Sequence, residues 1–334
     1  MMQRLVILAA SMVLTVGSAQ AALAAAARGA PAACIAESNH LASRGTVDLA
    51  WRKVGAEGRA SVLLIAGSDQ QMTMWPQTLL SGVIAKGRST IVYDARDVGC
   101  SSHLDQRGPI VWPTFFAELM GGKSPSVPYD LADLTLDALA VMDSAGQRKV
   151  DIVGVSGGAT VAAALAARYP DRVGRLVLVM ANSGNPAIPM PADPSRLAGL
   201  PQPPAKDAGL AEIVAFRARS GQALEGTALA MTTEERRSVA EAASRRSWDP
   251  DGLGRAGAAL LAAGDQRATL AKIKAPTRVV HGALDPLISP AAGREVASAI
   301  PGAEFLEVPG MGHALTPAAI EAVVEWIGSD RGAE

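Results

Sequence analysis

The pentapeptide Gly154-Val155-Ser156-Gly157-Gly158 stands directly after a strand-like run at 151–155 and directly before a helical stretch at 157–169. A serine in such a G-x-S-x-G turn is held in a strained corner, with its hydroxyl projecting from the sheet edge. Glycines are needed around it, because side chains there would collide with the neighbouring strand and helix. The pattern predicts that Ser156 is a nucleophile, and the alternative is a tight turn with an inert serine.

A serine hydroxyl needs a base to take its proton, and the chain has four histidines. His313 lies in a glycine-rich loop at 309–314, between the last predicted strand and the last predicted helix. His281 lies inside an apolar strand, where a histidine with a structural role is expected. His40 belongs to the N-terminal region, and His103 follows a polar loop. His313 is therefore the predicted base, and the alternative is an exposed loop histidine without a role.

The base needs a carboxylate to fix its tautomer and to stabilise the imidazolium. Asp285 follows the predicted strand 277–281, whereas the segment after the preceding strand, 181–185, holds no carboxylate. The chain order Ser156, Asp285, His313 is typical of one arrangement of the catalytic triad. Asp285 is therefore the predicted acid, and the alternative is an aspartate that caps the following helix.

A developing oxyanion needs two backbone donors. The residue after the nucleophile, Gly157, supplies one N–H in this arrangement, and the loop after the strand 62–66 supplies the other. That loop is Gly67-Ser68-Asp69. The N–H of Ser68 is the predicted second donor.

Short apolar runs alternate with helical stretches along most of the chain. Runs that are apolar on both faces indicate buried strands of a parallel sheet, which must be covered by helices on both faces. The predicted strands are 62–66, 90–94, 151–155, 175–180, 277–281 and 304–308, and the predicted helices are 129–145, 157–169, 290–299 and 317–327. These elements predict an α/β fold in which the functional residues follow strand ends.

The alternation stops at residues 185–272. Residues 185–205 are rich in proline, and residues 208–264 read as several helices without a strand. Parallel strands need only a short crossover, so this block is an insertion. We expect a helical cap at 185–272 over the sheet edge where ligands bind, and a core made of 22–184 and 273–334. Its larger apolar residues, candidates for a substrate pocket, are Phe216, Met231 and Trp248.

The first 21 residues have the order of a secretory signal: one basic side chain, an apolar run at 5–16, and Ala19-Gln20-Ala21. We expect cleavage after Ala21, export to the periplasm or medium, and no stable membrane insertion afterwards. The alternatives are an uncleaved anchor and a lipoprotein modified at Cys34. Export permits a disulfide between Cys34 and Cys100, but the sequence leaves pairing and two unrelated thiols equally open.

The chain has 334 residues, with 31 Lys+Arg, 32 Asp+Glu and a net charge of -1. This balance argues against nucleic acid as a partner. No H-x-x-x-H or H-E-x-x-H spacing indicates a metal site, and no G-x-G-x-x-G follows the first predicted strand. We therefore expect neither a metal nor a cofactor.

Three further sequence motifs accompany the G-x-S-x-G turn: LIAGSD at 64–69, YDARDVGCS at 93–101 and PGMGHAL at 309–315. With them the sequence resembles the α/β-hydrolase superfamily over about residues 45–325, and most of all the branch that contains aclacinomycin methylesterase. The resemblance implies a cofactor-free serine hydrolase with the triad and oxyanion hole given above. It also implies that Arg96 and Asp97 are structural.

Two positions depart from the pattern of that family. Gly67-Ser68 stands where Gly-Gly is usual, which would narrow the oxyanion hole or add a hydroxyl to it. Gly157 stands where methionine is common, which implies a roomier pocket beside the nucleophile. The methyl ester of the named relative does not carry over, because the cap differs.

The expected function is hydrolysis of a small apolar carboxylic ester through an acyl-enzyme. One alternative keeps the fold with other chemistry: a cofactor-free haloperoxidase or perhydrolase, an amidase or a carbon–carbon bond hydrolase. A further alternative is a non-catalytic binding protein, which would be expected to lack a triad member.

Overall fold

The computed structural model describes residues 39–56, 60–188, 202–229 and 231–329, together with the single residues 34, 37, 190, 192, 193 and 195. The predicted signal peptide, with its cleavage after Ala21, lies outside these residues. None of the helices described is both long and apolar enough to span a bilayer.

In the described residues, eight strands form one sheet. They are β1 (His40–Arg44), β2 (Val47–Val54), β3 (Ser61–Ile65), β4 (Ser89–Tyr93), β5 (Val150–Val155), β6 (Val173–Val179), β7 (Thr277–Gly282) and β8 (Glu304–Val308). Their order is β1-β2-β4-β3-β5-β6-β7-β8. The pairs β1–β2 and β2–β4 are antiparallel, and the other neighbours are parallel. The predicted, mostly parallel sheet is confirmed, and each predicted strand lies within two residues of an observed one.

Helices cover both faces of this sheet, as predicted. The described α-helices are α1 (Gln77–Ala85), α2 (Trp112–Met120), α3 (Leu131–Ser144), α4 (Gly157–Arg168), α5 (Leu210–Leu224), α6 (Thr233–Arg246), α7 (Pro250–Ala262), α8 (Arg267–Leu270), α9 (Pro290–Ala299) and α10 (Pro317–Gly328). Buried residues of α1 and α10 belong to one apolar cluster, and those of α3, α4 and α9 belong to the other.

The strands supply alternate side chains to the two clusters, because successive side chains of a strand point to opposite faces. In β6, Leu176 and Leu178 belong to the cluster under α4, whereas Val177 and Val179 belong to the cluster under α10. All four side chains are fully buried. This two-sided burial explains why the strands read as continuous apolar runs, and it fixes the sheet edge at which the loops emerge.

The N-terminal hairpin of β1 and β2 was not predicted. Gly45, with φ of 62°, makes the tight turn between the two strands. Cys34, which precedes the hairpin in the chain, forms a disulfide with Cys100. The sequence left open whether these cysteines pair or are two unrelated thiols, and the structure shows that they pair. The disulfide fastens Cys34 to the loop after β4.

The helices α5 to α8 lie between β6 and β7, within the region 185–272. Three of their arginines pair with aspartates that follow core strands: Arg217 with Asp69, Arg246 with Asp94, and Arg255 with Asp97. The arginine side chains are 7%, 6% and 0% exposed. Removing one partner of a buried pair leaves an uncompensated charge, so these contacts hold the helices firmly against the strand ends.

Candidate active site

Ser156 stands at the corner between β5 and α4 with φ of 54°, a left-handed conformation that is uncommon for a residue with a side chain. The neighbouring glycines explain how the corner is reached. A Cβ on Gly154 would lie 2.6 Å from the Gly158 carbonyl oxygen, and a Cβ on Gly158 would overlap the carbonyl oxygens that end β3. The corner therefore requires both glycines, and it holds the serine at the carboxyl edge of the sheet.

The structure brings the three residues of the predicted triad together. His313 Nε2 lies 2.9 Å from Ser156 Oγ, and His313 Nδ1 lies 2.7 Å from Asp285 Oδ2. An ionised carboxylate can only accept, so Nδ1 carries the proton and donates a hydrogen bond to Asp285. Nε2 is then free to accept a hydrogen bond from the Ser156 hydroxyl. In this arrangement the imidazole can act as a base towards the serine.

The carboxyl group of Asp285 is buried and held from several sides. Its Oδ1 accepts hydrogen bonds from the backbone N–H groups of Leu287 and Ile288, both at 2.9 Å. Burial opposes ionisation, but hydrogen bonds from His281 and His313 outweigh it and hold the pKa of Asp285 well below its usual range. Asp285 therefore stays ionised when a positive charge forms on His313.

His281 is fully buried in β7, as the sequence predicts for a histidine with a structural role. Its Nε2 lies 2.9 Å from the Ile288 carbonyl oxygen and 3.5 Å from Asp285 Oδ2. Because a carbonyl only accepts, Nε2 carries the proton. Its Nδ1 has no hydrogen-bond partner among the described residues and faces Gly293 of α9. His281 thus supports the loop that carries Asp285.

The two predicted oxyanion donors lie on adjacent backbone segments. A Cβ built on Gly157 would lie 3.7 Å from the nitrogen of Ser68 and 2.6 Å from its hydroxyl oxygen. The N–H groups of Asp69 and Gln70 are bonded within their own loop, to the Gly67 carbonyl oxygen. Gly157 is the first residue of α4, and the first backbone N–H groups of a helix lack intrahelical acceptors. Both predicted N–H groups therefore lie at the corner that carries Ser156.

Gly157 stands where the family commonly has methionine, which implied a roomier pocket, but the space beside it is occupied. A Cβ at this position would lie 2.6 Å from Leu260 Cδ1 of α7 as well as close to the Ser68 hydroxyl. The expectation of a roomier pocket is therefore wrong at this point, since a side chain from the inserted helices fills the place of the usual methionine. The sequence offered no signal for Leu260, because nothing in its spacing marks it.

The three large apolar residues that were predicted as candidates for a substrate pocket make their contacts away from the triad. Phe216 and Trp248 pack edge to face at 5.5 Å within the inserted helices. Met231 lies between α5 and α6, where its carbonyl accepts from Arg236. Both contacts join residues that lie between β6 and β7 in the chain.

Arg96 and Asp97, which the resemblance implies to be structural, both make buried ion pairs. Arg96 binds Asp137 through two hydrogen bonds of 2.6 and 2.7 Å. Asp97 accepts two bonds from Arg255, and it also accepts from Tyr129 Oη and from the backbone N–H of Leu104. Neither carries a contact to the serine, and both fasten the loop after β4.

One group of side chains in the described residues has the spacing of metal ligands: Asp97, His103 and Asp249. The guanidinium of Arg255 already binds both carboxylates, and His103 Nδ1 donates to Asp249 at 2.8 Å. Burial lowers the pKa of His103, but the bond to Asp249 outweighs it and the pKa is raised. Cations of the chain itself thus neutralise this group, and nothing here favours a metal.

The chain is similar to known proteins in both sequence and fold. A family model described as the alpha/beta hydrolase fold matches residues 61–316. The chain belongs to the α/β hydrolase fold family. That match covers more than half of the chain, and it includes the three residues joined by the hydrogen bonds above. The α/β hydrolase fold predicted from the sequence is confirmed, and the chain is a hydrolase.

Individual relatives agree with this membership. Rhodomycin D methylesterase DnrP of Streptomyces peucetius is 28% identical over 295 residues, which cover 82% of this chain and 91% of the relative. A hydrolase from Pseudomonas aeruginosa PA01 superposes with a TM-score of 0.63 at 26% identity, covering 87% of this chain and 98% of the other. The enol-lactonase of Burkholderia xenovorans LB400 has a TM-score of 0.62 at 24% identity over 87% and 100% of the two chains, and shows the shared fold.

Proposed function

We propose that this hydrolase is an exported enzyme that cleaves a carboxylic ester through an acyl-enzyme formed on Ser156. The observation that carries the proposal is the continuous hydrogen-bonded chain from Ser156 Oγ through His313 to Asp285, at 2.9 and 2.7 Å. Such a chain makes a neutral hydroxyl nucleophilic, because its proton has an acceptor at the moment of attack.

In the proposed reaction, His313 Nε2 takes the proton of the Ser156 hydroxyl while the serine oxygen forms a bond to the ester carbonyl carbon. The pair of electrons of the carbonyl bond moves to oxygen, and the imidazolium is stabilised by ionised Asp285. The N–H groups of Ser68 and Gly157 would hold the oxyanion, a type of contact that contributes about 3–4 kcal/mol per donor.

Collapse of the tetrahedral intermediate expels the alcohol, which receives the proton from His313 Nε2. Water then takes the place of the alcohol: His313 Nε2 removes a proton from the water while its oxygen adds to the acyl carbon. When this second tetrahedral intermediate collapses, the bond to Ser156 Oγ breaks, His313 returns the proton to Oγ, and the carboxylic acid is released. The steps proposed use water and the side chains of the chain itself.

The proposed substrate is a small apolar ester. The wall beside Gly157 is the apolar side chain of Leu260, which favours an apolar acyl group. The Streptomyces relative is a methylesterase, which supports an ester as the substrate class but not its size. We propose that the region 185–272 acts as a cap that forms this wall, on a core of 22–184 and 273–334. Leu260 then limits the space for the acyl group next to the nucleophile.

Export is part of the proposal. Residues 1–21 have the sequence of a signal peptide, and the disulfide between Cys34 and Cys100 requires an oxidising compartment to persist. Both observations favour a periplasmic or secreted enzyme, and neither depends on the other.

A panel of p-nitrophenyl esters from acetate to octanoate, assayed with the wild type and Ser156→Ala, tests the function. We expect turnover of the short esters and a loss of about 10⁴–10⁶ in kcat in the variant. Ser298→Ala is the matched control, because that hydroxyl is exposed and bonds to a helix carbonyl. An enzyme that turns over anilides or peracids but no ester would contradict the proposed substrate class.

A further inference from the structure

The loop that carries His313 is bonded to the end of α5. The backbone N–H of His313 donates to the Leu224 carbonyl oxygen at 2.7 Å. The Gly310 carbonyl oxygen accepts from the N–H groups of Thr227 and Ala228, at 2.7 and 2.9 Å. The last carbonyls of a helix lack intrahelical donors, so Leu224 is available for this contact. Residues 224–228, here called the bracing segment, thus lie directly against the histidine loop.

Two glycines make this approach possible. A Cβ on Gly226 would overlap the Gly310 carbonyl oxygen and the nitrogen of Gly312, and a Cβ on Gly312 would overlap the Leu224 carbonyl oxygen. Gly226 has no positive φ, so alanine suits its backbone conformation. Space alone therefore requires glycine at 226, which makes the position a sensitive probe of the contact.

A partly buried ion pair holds the bracing segment in shape. Arg236 of α6 binds Glu225 through two hydrogen bonds of 3.0 and 2.6 Å, and it also donates to the Met231 carbonyl oxygen. The side chains of Arg236 and Glu225 are 13% and 9% exposed. A forked pair with this burial fixes the connection between α5 and α6 more firmly than a surface pair would.

The opposite side of the histidine loop is bonded to the core. The N–H of Leu284, next to Asp285, donates to the Met311 carbonyl oxygen at 2.8 Å, and Met311 is fully buried. The loop therefore lies between the end of β7 and the bracing segment. Its glycines, Gly310 and Gly312, would otherwise leave its backbone unusually free.

We propose that the bracing segment positions the catalytic base, with Gly226, Glu225 and Arg236 as positioning residues for His313. The inference rests on the proposed function, in which His313 bridges Ser156 and Asp285. A displacement of about 1 Å in such a group can cost on the order of 100-fold in rate. The inserted helices thus complete the active site, and they cannot leave the core at this end without moving the base.

The test compares Gly226→Ala with Gly221→Ala in the mature enzyme, using p-nitrophenyl acetate as substrate. Gly221 lies in α5 and has nothing within 4 Å of an added Cβ, so it controls for the substitution itself. We expect kcat to fall by about 100-fold in Gly226→Ala, with KM changed by less than about threefold. The control keeps the wild-type kcat. A folded Gly226→Ala enzyme with the wild-type kcat would overturn the proposal.

A second measurement separates positioning from general destabilisation. In a His313→Ala background, Gly226→Ala should cost nothing further, because groups that act as a unit are non-additive. A second loss of about 100-fold in that background would show that Gly226 acts by another route, and would overturn the proposal.

Arg236→Ala provides an independent variant if Gly226→Ala does not fold. We expect a fall in kcat at unchanged KM, and no fall in Arg237→Ala, whose side chain is exposed on the same helix. Equal kcat values in these two variants would contradict the role of the ion pair. A wild-type enzyme that hydrolyses no ester would instead refute the proposed function, so the two failures are distinguishable.

Discussion

Replacing Asp285 by asparagine reverses one hydrogen bond of the triad while keeping its shape. Oδ1 of Asp285 accepts from the N–H groups of Leu287 and Ile288, both at 2.9 Å. The asparagine must place its carbonyl oxygen there, since two buried donors would otherwise lose their acceptor. Its NH₂ group then occupies the position of Oδ2, which lies 2.7 Å from His313 Nδ1.

The amide now donates where the carboxylate accepted, so His313 Nδ1 must present its lone pair. The imidazole proton moves to Nε2, which then donates to Ser156 Oγ and cannot take the proton of the hydroxyl. Holding the base in this wrong tautomer costs about 10⁴ in kcat. That loss corresponds to about 5.5 kcal/mol of activation free energy.

The assay is kcat for p-nitrophenyl acetate at pH 8, with thermal unfolding to show that the variant is folded. Asp265→Asn serves as the control, because Asp265 is an exposed partner of Arg267 on the surface. We expect the control to match the wild type. A folded Asp285→Asn enzyme that retains more than about a tenth of the wild-type kcat would refute the assigned orientation of His313.

Four further predictions concern stability and specificity. The disulfide between Cys34 and Cys100 spans 66 residues. Replacing both cysteines by serine should lower the free energy of unfolding by about 4 kcal/mol in urea titrations; a loss below about 1 kcal/mol would contradict this. Burial raises the pKa of Asp249, but its hydrogen bonds, chiefly the one to His103, outweigh burial and lower the pKa to about 2. Ionised Asp249 therefore stabilises the fold above its unfolded pKa, which is near 3.8. Stability should fall from about pH 4 to pH 2, and less so in Asp249→Asn, whereas parallel profiles would refute the assignment. Burial lowers the pKa of His103, but the hydrogen bond to Asp249 outweighs it, so protonated His103 adds stability that is lost as the pH rises above the ordinary value of 6.5. Urea midpoints measured across this rise in pH will show a decline that is absent from His103→Gln. Leu260→Ala should raise the ratio of kcat/KM for butyrate over acetate by about tenfold, and an unchanged ratio would exclude Leu260 from the acyl pocket.

The residues that could be predicted are those whose neighbours along the chain determine their place. The strands β3 to β7 are largely buried on both faces, and the bounds predicted for them and for the more exposed β8 lie within two residues of the observed ones. The positions of Ser156, Asp285 and His313 follow from this, because each lies in the segment that follows the end of a strand, and parallel strands end at one edge. Local sequence thus predicts which residues meet at the edge of the sheet.

Contacts across the inserted helices could not be predicted. Leu260 fills the space beside Gly157, and its role depends on how α7 packs against the core rather than on any motif. The same holds for Arg217 and Asp69, which are 148 residues apart in the chain. The hairpin of β1 and β2 was missed because charged and polar residues interrupt its apolar ones, whereas the core strands have continuous apolar runs.

The role of Ser156 is tested most directly by mass spectrometry of the purified protein after treatment with a fluorophosphonate. We predict one covalent adduct, located on the peptide that contains Ser156, absent in Ser156→Ala and formed far more slowly in His313→Ala. A folded, ester-hydrolysing preparation that stays unlabelled, or that carries its adduct on another residue, would contradict the assignment of Ser156 as the activated nucleophile.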